Sequence, residues 1–231
     1  MKVSDSQVGH RTRLRERFLK NGRSALADYE LLEMILSYAI PRKDTKIIAK
    51  ELISSFGTFA AVFDQPVEKL QTVSGIGPFA ATFLVSIRAV LTRYLEQQAE
   101  RANAISSPED VTDFVRLAIG ASQRECLMVL CLNAANRLVH HEILVEGTVD
   151  QAPVYPREIF RPALMHNATA LILVHNHPSG RAVPSEQDHY MTQRIDNLAS
   201  EFNIVLHDHL IVCPSQAFSI KTGRLLTSPI R

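Results

Sequence analysis

Apolar side chains between residues 28 and 96 recur at the three- and four-residue spacing of helices that bury one face: Leu31, Leu32, Ile35 and Leu36, then Ile47, Ile48, Leu52 and Ile53 ahead of Gly57. Strand-like alternation is almost missing from this stretch. A short apolar piece at residues 59–63 is followed by Pro66-Val67-Glu68-Lys69-Leu70 and the turn Gly75-Ile76-Gly77. Pro78 then opens a long apolar helix predicted to end near Leu95, with proline and glycine placed where helix starts favour them. Residues 96–107 are polar with no sustained apolar period, which predicts an interdomain linker.

Beyond the linker the period changes. Ser107-Pro108-Glu109-Asp110 carries helix-start signals, and the helix is predicted to reach Ile119-Gly120. Residues 126–132 read as a buried strand, 133–136 as a turn and 138–145 as the antiparallel partner, with a further strand at 148–155. A helix at 156–166, a strand at 170–174, a helix at 185–202, a strand at 204–212 and an edge strand at 218–221 follow. The chain is therefore expected to be a two-domain α+β protein, with an all-α domain at residues 1–98 and a mixed-sheet α/β domain at 107–231.

Composition bounds the options without choosing among them. A chain of 231 residues, 46% hydrophobic, can bury a proper core. No apolar run reaches the length of a membrane span, and the polar opening lacks the apolar stretch of a secretory signal, so no membrane association and a cytoplasmic location are expected. Cys126, Cys131 and Cys213 form no C-x-x-C pair and are read as buried thiols. A net charge of +1 argues against a uniformly basic surface, but Arg11, Arg13, Arg15, Arg17, Lys20 and Arg23 crowd one segment that contains a single acid, Glu16. Such a patch can track phosphates or simply face water.

The chemistry concentrates in His175-Asn176-His177-Pro178-Ser179-Gly180 and Pro184-Ser185-Glu186-Gln187-Asp188. Strand alternation sends His175 and His177 to one side, at the end of the apolar run 170–174. Ser185-x-x-Asp188 reads as a capping box that starts the next helix. That role does not compete with metal binding, because a helix N-terminus favours a carboxylate and leaves one of its oxygens free. Two imidazoles and a carboxylate within fourteen residues, with no thiolate, form a donor set suited to Zn2+ with a fourth position kept for water. A second pair, His207 and His209, shares one strand with Asp208 between them; alternation places both histidines on one face, as polar strand residues or as partners that orient the ligands.

The spacing His175-x-His177, seven residues, Ser185, two residues, Asp188 resembles the JAMM/MPN metallopeptidase signature, and His-Asn-His-Pro-Ser-Gly with Pro-Ser-x-x-Asp resembles the RadC family specifically. Glu146-Gly147-Thr148-Val149, Tyr155-Pro156-Arg157-Glu158-Ile159, Asp208-His209, Arg15-Glu16-Arg17, Glu30-Leu31-Leu32 and Ser74-Gly75-Ile76-Gly77 extend the likeness over nearly the whole chain. The resemblance implies a cytidine-deaminase-like mixed sheet and a zinc-dependent peptidase or isopeptidase acting on a peptide or isopeptide substrate. His175, His177 and Asp188 would be the ligands and Glu125 the general acid/base, with Glu142, Glu146 and Glu158 as alternatives. Ser185 would steady the oxyanion, its lone pair serving the cap while its hydrogen serves the substrate.

A different function is also implied. RadC proteins are traditionally called DNA repair proteins, and helix, Gly-Ile-Gly turn, helix resembles a helix-hairpin-helix, whose glycines and helix N-terminus approach a phosphate without reading sequence. Pro78-Phe79-Ala80-Ala81 departs from that pattern: the basic residue usual after the turn is missing, and the nearest is Arg88. A purely structural hairpin stands beside DNA binding as a reading of this segment. Neither the substrate nor the oligomeric state is legible in the sequence.

Overall fold

A computed structural model describes residues 5–101, 104–147 and 155–226. Their packing divides the chain into two units, one ending at Val90 and the other beginning at Leu91. The regular elements among the described residues of the first unit are all helices: α1 (Asp5–Asn21), α2 (Asp28–Ala39), α3 (Thr45–Phe56), α4 (Phe59–Phe63), α5 (Val67–Leu70) and the opening turns of α6 (Pro78–Arg101). The apolar stripes seen in the sequence turn inward, so that Leu32, Leu36, Leu52, Leu70 and Leu84 are fully buried in a common core. The Asp44 side chain accepts the Lys46 N–H to start α3, and Gly57, at φ 89°, ends it. Gly75 combines φ 93° with a close approach: a Cβ there would lie 2.7 Å from Ile48 Cδ1, so the turn before α6 needs glycine twice over.

The described strands of the second unit form a six-stranded mixed sheet in the order β2-β1-β3-β4-β5-β6. Its elements are α7 (Glu109–Ile119), β1 (Cys126–Leu132), β2 (Leu138–Glu146), α8 (Pro156–Met165), β3 (Ala170–Asn176), α9 (Glu186–Glu201), β4 (Val205–Val212), β5 (Ala217–Ser219) and β6 (Arg224–Leu226). Only β3 and β4 pair in parallel among the described strands, and α9 is their crossover. Residues of β1 and β3 are buried on both faces, which explains their continuous apolar runs. One face packs against α7 and the end of α6 around Phe114, Met128 and Ile172. The other packs against α8 and α9 around Ile159, Leu173 and Ile195.

The mixed α+β architecture agrees with the sequence reading, and the differences have local causes. The expected linker at 96–107 is partly helix, because α6 continues to Arg101. Leu95 and Ala99 pack on the sheet core, and Glu96 is held by Arg93 and His141, contacts too sparse to show as a period. Asp110 then accepts the backbone N–H groups of Ser106 and Ser107 and fixes the entry to α7. The opening basic segment is itself helix α1. The strand expected at 148–155 lies outside the described residues except for Tyr155, which is the N-cap of α8. Strand β6 was not expected at all; three residues with two of them exposed give no alternation to read.

Candidate metal centre

The centre lies where β3 ends and α9 begins. His175 closes the pairing of β3 with β1, opposite Leu127. The next residue, Asn176, is completely buried and acts as a staple. Its Oδ1 accepts the Cys126 N–H at 2.6 Å, and its Nδ2 donates to the carbonyls of Ser122 and Arg124. This ties the segment carrying Glu125 to the histidine strand. The chain then passes through Gly180, at φ 78°, and returns at Ser185.

Asp188 is the hub. Its Oδ1 lies 2.8 Å from His175 Nδ1 and its Oδ2 lies 3.4 Å from His177 Nε2. Oδ2 also accepts the Ser185 backbone N–H at 2.7 Å and the Ser185 hydroxyl at 2.6 Å, while Ser185 Oγ accepts the Asp188 N–H. The capping box read from the sequence is therefore present. Burial alone would push the Asp188 carboxyl up, but the hydrogen bonds from His175, His177 and Ser185 together hold it far below the usual carboxylate range. His177 is raised, chiefly by its hydrogen bond to Asp188, against the opposing effect of burial. The Ser185 hydrogen, expected to be free for an oxyanion, is here given to Asp188.

The second histidine pair corrects the sequence reading. Leu171 pairs with Leu206 and Ile172 with Asp208, so His207 is an unpaired extra residue in β4. Such a bulge breaks the alternation. His207 is exposed and turns its Nε2 to Asn136 Oδ1, whereas His209 is completely buried beside the centre. Thr192 Oγ1 lies 2.6 Å from the Asp188 carbonyl and 2.7 Å from His209 Nδ1. The carbonyl can only accept, so it takes the one hydroxyl hydrogen, and His209 Nδ1–H must donate to Thr192. That leaves His209 Nε2 as a bare lone pair. Desolvation lowers His209 to about 3, consistent with a neutral ring.

Nitrogen donors are thus left over around a carboxylate. His175 Nε2 and His209 Nε2 are both buried with no hydrogen-bond partner among the described residues. One possible donor atom each from His175, Asp188 and His209 lie within 4.8 Å of one another. His177 meets this group through Asp188. Orphaned buried imidazole nitrogens beside an ionised carboxylate, with no thiolate, fit Zn2+ better than a hard cation. Sequence reasoning missed Thr192 and Asn176, and it named His209 only jointly with His207, as a polar strand residue or a partner that orients the ligands. The letters of the second His-x-His were visible, but not the bulge that separates its members.

A cleft of about 790 Å³ opens over the centre. Glu125, Pro156, His175, His177, Ser185 and Asp188 line it, together with Gln187, Tyr190, Met191 and Arg194 from the exposed face of α9. The other glutamates considered from the sequence are not among the described lining residues. Glu142 is held by Arg161, Glu158 faces Arg157 and Arg161, and Glu146 pairs with Cys126 across the sheet edge. All three cysteines are buried free thiols, and burial pushes Cys131 up to about 12.

In the helical unit, much of the basic segment is engaged internally. Arg11 donates to the carbonyls of Ile40, Pro41 and Lys43, Arg17 pairs with Glu30 and Arg23 with Asp28. Arg88, the nearest base after the glycine turn, pairs with Asp64 at 2.7 Å. No helix among the described residues is long and apolar enough to cross a membrane.

Residues 105–225 match the model of the RadC-like JAB domain, and residues 6–82 match the UPF0758 N-terminal model. A UPF0758 protein of Ruegeria pomeroyi is 42% identical over 212 residues, covering 92% of this chain and 95% of that protein.

Proposed function

The chain belongs to the RadC family, and from this premise we propose that it is a zinc-dependent hydrolase of amide bonds, a peptidase or isopeptidase. JAB/MPN domains are associated with metal-dependent hydrolases and typically bind zinc. The observation that carries the reading is the meeting of His175 and His177 on different oxygens of Asp188, inside a cleft that Glu125 also lines.

His175, His177 and Asp188 would hold the ion, with His209 behind them. When bound, zinc supplies Lewis acidity and brings the ionisation of water to a pKa of about 7. The remaining work falls to the protein. Glu125 accepts a proton from the attacking water and returns it to the leaving nitrogen. Its backbone is fixed by the Asn176 staple and by the Gly147 N–H bond to its carbonyl, so the carboxylate starts from a defined point at the cleft edge. Ser185 turns its O–H hydrogen bond from Asp188 to the substrate oxygen as charge develops there, keeping the proton. Asp188 keeps the imidazoles oriented throughout. A cytoplasmic location goes with this reading.

The test is a peptide and isopeptide hydrolysis screen on the zinc-loaded protein, run beside Glu125→Gln. The variant is expected to retain zinc and to lose at least about 100-fold in kcat. Undiminished hydrolysis by Glu125→Gln would remove this glutamate from the mechanism, and no hydrolysis of any amide by the zinc-loaded chain would remove the activity.

A further inference from the structure

Along α9 the positions facing the cleft repeat at helical spacing, Gln187, Tyr190, Met191 and Arg194. The carboxyl groups among the described lining residues, Glu125, Glu186 and Asp188, lie toward the metal end, and Arg194 is the one arginine, with no lysine, among those residues. Arg194 is exposed and makes no ion pair or hydrogen bond among the described residues. Its neighbour Asp196, by contrast, is paired with Lys221. A guanidinium held at the edge of a cleft without an internal partner offers a fork matched to a carboxylate.

We propose that Arg194 is a specificity-determining residue that selects substrates carrying a carboxylate two or three residues from the bond that is cut. The inference rests on the hydrolase reading. Six residues of helix separate Asp188 from Arg194, a rise of about 9 Å at 1.5 Å per residue. An extended peptide advances about 3.4 Å per residue, so that distance equals two or three residues of substrate. Between the two ends, Tyr190 and Met191 offer apolar surface for the intervening side chain, which the carboxylate end of the site does not contact. An acidic side chain and a free C-terminus present the same group, and the two sources are separable by experiment.

Two peptide series test this on the full-length zinc-loaded protein. One series exchanges Glu for Gln at the second and third positions on either side of the cleaved bond; the other compares a free C-terminus with its amide at the same distance. Wild type is expected to prefer one carboxylate-bearing series by about tenfold in kcat/KM, the scale of a charge-assisted hydrogen bond discounted for exposure. Arg194→Gln should erase the preference, Arg194→Lys should keep part of it, and Arg194→Glu should reverse it, all with unchanged zinc content. Fluorescence anisotropy with the same peptides on zinc-loaded Glu125→Gln protein reads binding alone. Arg194-dependent binding of the acidic peptides without turnover by wild type would sink the hydrolase reading and, with it, the role of Arg194 in choosing substrates, leaving only its contact with the carboxylate. Cleavage with equal efficiency for acid and amide forms, or binding that ignores Arg194, would overturn the inference and leave the centre untouched.

Discussion

Two strands that lie side by side in this sheet each meet a His-x-His and use it differently: β3 ends inside one, with His177 just past its last residue, and β4 contains the other. At the end of β3, His175 and, one residue beyond the strand, His177 both meet one carboxylate, Asp188. In β4, an extra residue turns His207 out to Asn136, while His209 is buried behind the centre. The same spacing of histidines thus gives two ligand candidates at one strand end and a single buried imidazole in the neighbouring strand. Spacing within a motif reports chemistry only when the backbone under it is regular, and a partner one helix away decides whether the side chains find a common target.

The contrast can be broken most severely at its hub. Asp188→Ala is expected to abolish zinc retention by elemental analysis and to cost the metal-free protein about 2–4 kcal/mol, because it removes half of a capping box and leaves the buried His175 and the half-buried His177 without their acceptor. A variant that still carried one zinc per chain would refute the ligand assignment. The next effect separates the β4 histidines. His209→Ala should weaken zinc affinity about 10–100-fold in a competition titration, as loss of a group supporting the ligands does, and lower stability by about 2–4 kcal/mol. His207→Ala should leave affinity unchanged and shift stability by no more than about 0.5 kcal/mol. Equal effects from the two substitutions would mean that the bulge does not divide them.

A third group of histidine and acids supplies the smallest effect. Glu96, Glu100 and His141 also have donor atoms within 4.8 Å of one another, but Arg93 sits against both glutamates. With Arg93 already set against both carboxylates, this group is expected to be an ion-pair cluster. Burial would raise Glu96, yet the hydrogen bonds from Arg93 and His141 outweigh it and hold its carboxyl below 4.5. A depressed carboxylate stabilises the fold above its unfolded pKa and loses that contribution as pH falls through the folded value. Glu96→Gln should therefore cost up to about 1 kcal/mol at pH 7, and the difference from wild type should close on acidification below pH 4 in denaturant titrations. A gap that stayed constant with pH would assign the loss to packing.

How much of this was legible follows the same logic. Strands β1 and β3 announced themselves as unbroken apolar runs because both faces are covered, and the start of α9 was written in Ser185 and Asp188 as a local hydrogen-bonding pair. These features depend on neighbours in sequence. The bulge at His207, the Thr192 bridge from Asp188 to His209 and the Asn176 staple depend on strands brought together from up to 54 residues away, and single residues carry no period. The end of α6 hid for a related reason: its apolar contacts are Leu95 and Ala99 alone, set among polar side chains. Glu125 could be named only through the family likeness, since a half-exposed glutamate ahead of a strand has no signature of its own.

Asp188 closes a helix as well as facing two imidazoles, and this bears on how descendants of such a domain would drift. A lineage that abandoned chemistry would still gain from keeping the aspartate, because the first turn of α9 leans on it. His177 has no comparable structural duty: its half-buried ring meets Asp188 and the Arg181 backbone. In a survey of relatives, loss of the histidine would mark retirement from catalysis earlier than loss of the acid.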